Sequence, residues 1–108
     1  MGFRGAMALQ KAIKAADLPP GKMTMAKLGT QEVMIGNVGG RFYAIDEICT
    51  HEGGPLHEGT LEGTTVTCPW HEGQYSIETG EANPETDWVR DTKSFPTQVR
   101  DGWVWVDV

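Results

Sequence analysis

The sequence contains only two cysteines, Cys49 and Cys68, in 108 residues. Two cysteines are too few for the disulfide framework that stabilises many small secreted domains. No apolar run is long enough to span a bilayer, and the first residues lack the apolar stretch of a signal peptide. We therefore expect a cytoplasmic protein without a membrane span, in which cysteines more often bind metal or remain buried thiols.

Positive charge is missing from the middle of the chain, since no Lys or Arg occurs from residue 42 to residue 89. That segment holds ten of the fifteen acidic residues, both cysteines and all three histidines. An acidic surface argues against nucleic acid as a ligand and favours a protein partner with a basic docking face. The alternative is that these acids only keep the loops soluble.

Helix-sized periodic segments are scarce, while turn residues are frequent. Fourteen Gly and six Pro separate short apolar stretches, which favours a turn-rich all-β domain over a helical one. Gly39-Gly40 and Asp101-Gly102 each lie between two apolar runs, as two-residue hairpin turns do. No repeat or linker divides the chain, so we expect a single domain over residues 1–108.

The strands are predicted from the apolar runs between these turns. We predict strands near 9–15, 23–28, 32–38, 41–45, 61–67 and 74–78, a loop over 83–94 and a final hairpin over 97–108. The segment 5–16 also has the composition of a helix, but residues 9–15 can pair as a β-strand, and the strand is the interpretation that we favour. Residues 1–8 are expected to be an irregular leader.

The cysteines and two of the histidines form two short patterns. Residues 49–51 read C-x-H and residues 68–71 read C-x-x-H, with sixteen residues between the two patterns. Each pattern lies in a predicted loop that follows a strand. Two such loops, each with one thiol and one imidazole, can close on one metal centre.

Two kinds of centre accept two sulfur and two nitrogen ligands. Zinc does so in structural sites, but zinc fingers pair cysteine with cysteine and histidine with histidine at their own spacings. A [2Fe–2S] cluster can place both thiolates on one iron and both imidazoles on the other. Neutral imidazoles add no negative charge, so the iron that they bind accepts an electron more easily.

The spacing C-x-H-x16-C-x-x-H resembles the signature of the Rieske [2Fe–2S] family, and most of all its small soluble ferredoxins. The similarity extends to "RFYAIDEICTH", "CPWHEGQYSIETGE" and "SFPTQVRDGWVWV", and covers roughly residues 17–108. The resemblance implies an all-β, antiparallel Rieske-like sandwich of nine or ten short strands. It also implies a two-loop cluster-binding lobe at about residues 46–94.

The resemblance assigns the ligands of one [2Fe–2S] cluster. It implies that Cys49 and Cys68 bind the buried iron through sulfur. It implies that His51 and His71 bind the outer iron, with their far ring nitrogens near solvent, where electrons enter and leave.

Several positions differ from the respiratory members of the family. Their disulfide cysteines correspond to Gly54 and Trp70 here, so the chain resembles the branch that lacks the disulfide. Their serine that donates to a bridging sulfide is Gly73. Their tyrosine that donates to a cysteine sulfur is retained as Tyr75. Glu72 replaces the usual glycine, which leaves the conformation of the second loop open.

These differences predict a reduction potential in the lower part of the Rieske range of about −150 to +300 mV. A missing hydrogen bond to sulfide stabilises the reduced cluster less, and acidic neighbours disfavour the added electron.

Side chains beyond the ligands are interpreted one by one. Trp70 either packs across the loop junction against Gly54 or forms an apolar docking contact, and packing is favoured. His57 matches no ligand position and is interpreted as a loop residue. Three tryptophans are expected to pack in sheets: Trp88, Trp103 and Trp105.

A partner is expected to dock around the outer iron. The residues assigned to this docking face are His51, His71, Glu52 and Glu72.

The predicted function is one-electron transfer by a soluble monomer, from a reductase to an oxygenase or another acceptor. The sequence has no nucleotide-binding glycine motif and no mononuclear-iron site, so the chain is not expected to be an enzyme by itself. Three alternatives remain: the ferredoxin component of an aromatic-ring dioxygenase, a small accessory subunit of a reductase such as nitrite reductase, and a zinc-stabilised structural domain.

Overall fold

The structure is a computed structural model that describes residues 9–108. Within this range the chain forms ten β-strands and two short 3-10 helices, Ala15–Asp17 and Leu56–Glu58. The strands are β1 (Leu9–Lys14), β2 (Met23–Leu28), β3 (Gln31–Val38), β4 (Arg41–Asp46), β5 (Thr60–Glu62), β6 (Thr65–Thr67), β7 (Gln74–Ser76), β8 (Ser94–Phe95), β9 (Thr97–Arg100) and β10 (Trp103–Asp107). The predicted leader, residues 1–8, lies outside the described residues.

The strands form three antiparallel sheets, in the orders β1-β10-β9, β2-β3-β4-β8 and β5-β6-β7. The prediction of an all-β fold with about ten short strands is confirmed. The ambiguous segment near residue 9 is a strand, because β1 pairs with β10 along its length, with one irregularity between Lys11 and Ile13. No helix in the described part of the chain is long and apolar enough to cross a membrane.

Both predicted hairpin turns are present. Gly39 and Gly40 have φ of 60° and 97°, and Asp101 and Gly102 have φ of 52° and 80°. Positive φ at both central residues is the geometry of a type I′ turn, whose twist matches that of the paired strands. These turns fix the registers of β3 with β4 and of β9 with β10.

One predicted strand is wrong, because residues 61–67 form a hairpin and not a single strand. The chain reverses after Glu62 at Gly63, which has φ of 59°, and β6 then pairs back onto β5. The prediction for 74–78 is two residues too long. The Ser76 hydroxyl accepts hydrogen bonds from the backbone N–H groups of Glu78 and Thr79, which starts a turn.

The central strand β3 is buried on both faces and separates two cores. Val33 and Ile35 face the first sheet, whereas Met34 packs with residues of the third sheet and of the segments 47–59 and 77–93. The core on the loop side consists of Met34, Ile45, Cys49, Leu56, Val66, Cys68, Tyr75, Ile77 and Val89. Both cysteines are therefore part of the packed interior, and the strand framework positions them.

A glycine in β3 allows the third sheet to approach closely. A Cβ atom at Gly36 would lie 2.4 Å from Cδ1 of Ile77, so no side chain fits there unless Ile77 moves. The third sheet and the residue that follows it, Ile77, can therefore pack directly on β3.

Candidate metal centre

Two loops meet beside the core that contains Met34 and both cysteines. The first loop, residues 47–59, connects β4 to β5. Within it Cys49 donates its N–H to the carbonyl of Gly54 at 2.9 Å, and Gly53 donates to the carbonyl of Cys49 at 3.1 Å. This tight turn brings the Cys49 and His51 side chains to the same end of the molecule.

The second loop, residues 68–73, connects β6 to β7 and is closed by one backbone hydrogen bond. Cys68 donates its N–H to the carbonyl of Gly73 at 2.8 Å. His71 and Glu72 have φ of 62° and 60°, so two consecutive non-glycine residues are left-handed. Glu72 thus adopts a conformation that glycine would adopt without steric cost.

The two cysteines are neighbouring buried thiols that form no disulfide. Burial raises the pKa of the Cys68 thiol to about 11, and the hydrogen bond and charge of Cys49 add to this effect. A thiol with so high a pKa stays protonated at neutral pH unless a bound cation stabilises the thiolate.

The two imidazoles are exposed and lie close together. The ring centroids of His51 and His71 are 5.3 Å apart, and the planes are nearly perpendicular at 83°. A single carboxylate, Glu52, faces both rings, with Oε1 at 2.9 Å from Nε2 of His71 and Oε2 at 3.7 Å from Nε2 of His51. Because Nε2 of His71 is within hydrogen-bond distance of Glu52, Nδ1 is the nitrogen of that ring left to bind a metal.

The arrangement fits a [2Fe–2S] cluster with one all-sulfur and one all-nitrogen end. The thiols are inside and adjacent, and the imidazoles are outside and adjacent. With the thiols on one iron and the imidazoles on the other, such a cluster would have one iron in the interior and one at the surface. The donor set alone also satisfies zinc, so the choice between the two requires the comparisons with known proteins.

The chain was therefore compared with known proteins. A family model described as the Rieske [2Fe-2S] domain matches residues 8–96. The chain belongs to the Rieske [2Fe–2S] family. It is 36% identical over 101 residues to the 3-phenylpropionate/cinnamic acid dioxygenase ferredoxin subunit of Shigella flexneri, covering 90% of this chain and 91% of that protein. It is 38% identical over 76 residues to the biphenyl 2,3-dioxygenase ferredoxin component of Rhodococcus jostii, covering 70% and 71%.

The fold of the chain is also similar to that of a solved structure from a dioxygenase system. A chain from the complex of reduced oxygenase and oxidized ferredoxin in carbazole 1,9a-dioxygenase matches with a TM-score of 0.85 at 30% identity, and 94% of each chain is covered. The predicted family and fold are thus confirmed. The cofactor of this Rieske protein is one [2Fe–2S] cluster, and its relatives are electron carriers that serve oxygenases.

Tyr75 is a buried polar side chain whose hydroxyl contacts the first loop. Its hydroxyl lies 3.2 Å from Sγ of Cys49, accepts the N–H of Thr50 at 3.0 Å and lies 2.9 Å from the Thr50 hydroxyl. Burial raises the pKa of Tyr75 to about 12, so the phenol remains neutral. It therefore keeps its one proton, which it can donate either to the Cys49 sulfur or to the Thr50 hydroxyl.

Two glycines next to the Rieske motif have no room for a side chain. A Cβ at Gly73 would lie 2.4 Å from Cγ1 of Val89. A Cβ at Gly54 would lie 2.9 Å from Sγ of Cys68 and 3.1 Å from the ring of Trp70. Trp70 thus covers Gly54 as the packing hypothesis expects, yet 48% of the residue is exposed, so part of the ring also faces solvent.

Three features around the site did not follow from the sequence. Trp88 does not pack in a sheet as predicted; it lies outside every strand, is 43% exposed, and donates its indole N–H to the carbonyl of His71 at 3.1 Å. The Thr50 hydroxyl donates to the carbonyl of Arg90 and accepts its N–H, at 3.2 and 2.8 Å. Glu47 is buried and contacts His57.

Proposed function

We propose that this Rieske protein is the ferredoxin component of a multicomponent aromatic-ring dioxygenase. In this role it carries one electron at a time from a reductase to the oxygenase. The observation that carries the proposal is the pairing of two buried thiols with two exposed imidazoles 5.3 Å apart. The relatives named above, which serve dioxygenases of aromatic compounds, support it.

The ligand assignment is part of the proposal. Cys49 and Cys68 would hold the inner iron, and His51 and His71 the outer iron, within a cluster-binding lobe of about residues 46–94. The bound cluster supplies a one-electron redox couple. The chain's own residues fix its position, bury its sulfur end and leave the imidazole edge open to a partner.

The experiment that tests the proposal combines metal analysis with electron transfer. The purified protein should contain two iron and two sulfide per chain and show the EPR signal of a reduced Rieske cluster. It should then pass electrons from a reductase to the oxygenase of an aromatic-ring dioxygenase. A colourless zinc protein would reject the cluster, and a loaded protein that reduces no such oxygenase would reject the role.

The docking face is proposed to surround the two imidazoles. Glu52 and Glu72 are exposed there, next to the half-exposed apolar rings of Trp70 and Trp88. Acidic groups around an apolar centre suit an oxygenase surface that carries Lys or Arg. Replacing Glu52 or Glu72 by Gln should slow electron transfer about two- to five-fold at low salt, while Asp17→Asn, away from the loops, should leave the rate unchanged.

We also propose that the protein is a monomer located in the cytoplasm. The radius of gyration of 13.4 Å matches the value of about 13 Å expected for a single compact domain of this length. The two free thiols suit a reducing compartment. The alternative of a reductase accessory subunit is disfavoured because all four ligand positions are retained. Sedimentation of the loaded protein tests the monomer.

A further inference from the structure

The two ends of the first loop are joined by three hydrogen bonds between Glu47 and residues 56 and 57. Leu56 donates its N–H to the carbonyl of Glu47 at 2.9 Å. His57 donates its backbone N–H to Oε1 of Glu47 at 3.1 Å, and Nδ1 of its ring lies 2.6 Å from Oε2. The residues between these ends include Cys49 and His51.

Glu47 is an acidic residue that is buried at the base of the first loop. It is 2% exposed, and its carboxylate directs one oxygen to the backbone of His57 and the other to its ring. A buried carboxylate is costly unless it is paired and hydrogen-bonded, and an apolar residue of similar size often stabilises a fold as well. Stability alone therefore does not explain a charged group at the base of this loop.

We propose that Glu47 and His57 act as a clamp that fixes the spacing of Cys49 and His51 for cluster binding. Both are positioning residues, since neither faces the metal site as a ligand. The proposal gives His57 a role that its sequence position did not indicate. It rests on the ligand assignment proposed above.

The Glu47 charge also reaches the cysteine pair. Glu47 is 2% exposed and lies two residues before Cys49, so its carboxylate is buried beside the proposed cluster site. A buried negative charge close to the cluster disfavours an added electron. Removing the charge while keeping the hydrogen bonds should therefore raise the reduction potential.

The test uses the cluster-loaded protein and four variants. Glu47→Ala and His57→Ala break the clamp. Glu47→Gln keeps it, because the Gln carbonyl accepts the His57 N–H and its amide can donate to a neutral ring. Glu58→Ala is the matched control, since Glu58 is exposed in the same loop and lies 4.0 Å from the other side of the His57 ring.

Three readouts separate positioning from general stability. Glu47→Ala and His57→Ala should lose the cluster to a chelator at least about ten-fold faster and shift the EPR lines of the reduced cluster. Glu47→Gln should keep the loss rate and the EPR lines and raise the potential. Glu58→Ala should match the wild type in loss rate and EPR lines.

The clamp is overturned if Glu47→Ala and His57→Ala lower the melting temperature but keep the wild-type loss rate and EPR lines. It is also overturned if Glu47→Gln behaves like Glu47→Ala. Should the alanine variants assemble no cluster, far-ultraviolet circular dichroism compares them with the wild type after cluster removal. The same fold as that cluster-free wild type supports the clamp, and an unfolded chain rejects it in favour of general stability.

The outcome can be told apart from failure of the proposed function. If the wild-type chain binds no iron and sulfide, the ligand assignment fails and the clamp fails with it. If the wild type is loaded and every variant resembles Glu58→Ala, the clamp alone is wrong.

Discussion

The first loop is long and is held by buried side chains as well as by its backbone, whereas the second loop is short and is closed by one backbone hydrogen bond. Glu47 and His57 join the ends of the first, and Tyr75 reaches its Cys-Thr segment. The second has one closing hydrogen bond and two left-handed residues. Each loop carries one thiol and one imidazole, but the conformation of each loop is fixed by different interactions. A long loop needs added contacts to fix its shape, while a six-residue loop is limited by its allowed dihedral angles.

Removing one sulfur from either loop should give the largest effect, and the same effect in both. Cys49→Ser and Cys68→Ser should each abolish the assembled cluster, because both thiolates are needed to hold the buried iron. Iron and sulfide analysis with visible circular dichroism measures the loss. A stable, loaded cluster in either variant would contradict the ligand assignment for that loop.

A side chain at Gly73 should disturb only the second loop. Gly73→Ser should lower the free energy of unfolding by about 1–3 kcal/mol, because its Cβ collides with Val89. The double variant with Val89→Ala should lose less than the sum of the two single variants. Denaturant unfolding of the four proteins measures this coupling, and strict additivity would show that the collision is relieved in another way.

Loss of the Tyr75 hydroxyl should affect the first loop. Tyr75→Phe should lower the reduction potential, since one donor to the Cys49 sulfur is lost, and cost about 1–2 kcal/mol of stability from the unpaired Thr50 N–H. Tyr43→Phe is the control, because the Tyr43 hydroxyl donates to the exposed Glu78, away from the Cys49 sulfur. Protein-film voltammetry should place the wild type in the lower part of the Rieske range. Equal potentials in all three proteins would refute the donor role.

Trp70 is one of the contacts between the loops and should give a smaller effect. Trp70→Ala uncovers Gly54 and should cost about 1 kcal/mol and speed cluster loss, since about half of the residue is already exposed to solvent. Val99→Ala, on the edge strand of another sheet, is the control. Unchanged stability with slower reduction of the oxygenase would assign the ring to docking instead of packing.

The smallest effect is expected at Glu72. Glu72→Gly removes the strain of a left-handed side chain but adds flexibility to the unfolded chain, so the gain should be at most about 1 kcal/mol. Glu72→Val should destabilise by more than that, because a branched side chain fits this conformation poorly. Chemical denaturation compares the three. A stable valine variant would mean that the second loop is not held by its dihedral angles.

The sequence was sufficient to predict the family and the positions of most strands. Turn pairs such as Gly39-Gly40 have a local geometric meaning, and the Cys and His spacing is specific. The hairpin at Gly63 was missed because the four β-branched residues that follow the glycine, 64–67, favour a strand, and Gly63 was included in the same run. The burial of Glu47 was missed because only the folded loop brings His57 to it. Trp88 was assigned to a sheet by its type, although its role depends on a carbonyl 17 residues away in sequence.

The Thr50 hydroxyl, which bonds both the N–H and the carbonyl of Arg90, joins segments that are far apart in sequence. Tyr75 contacts the same hydroxyl, so the first loop, the third sheet and the segment before β8 meet at one atom. Segments linked in this way open together rather than one after another. Release of iron and exposure of these amides to hydrogen exchange should therefore occur as one cooperative event.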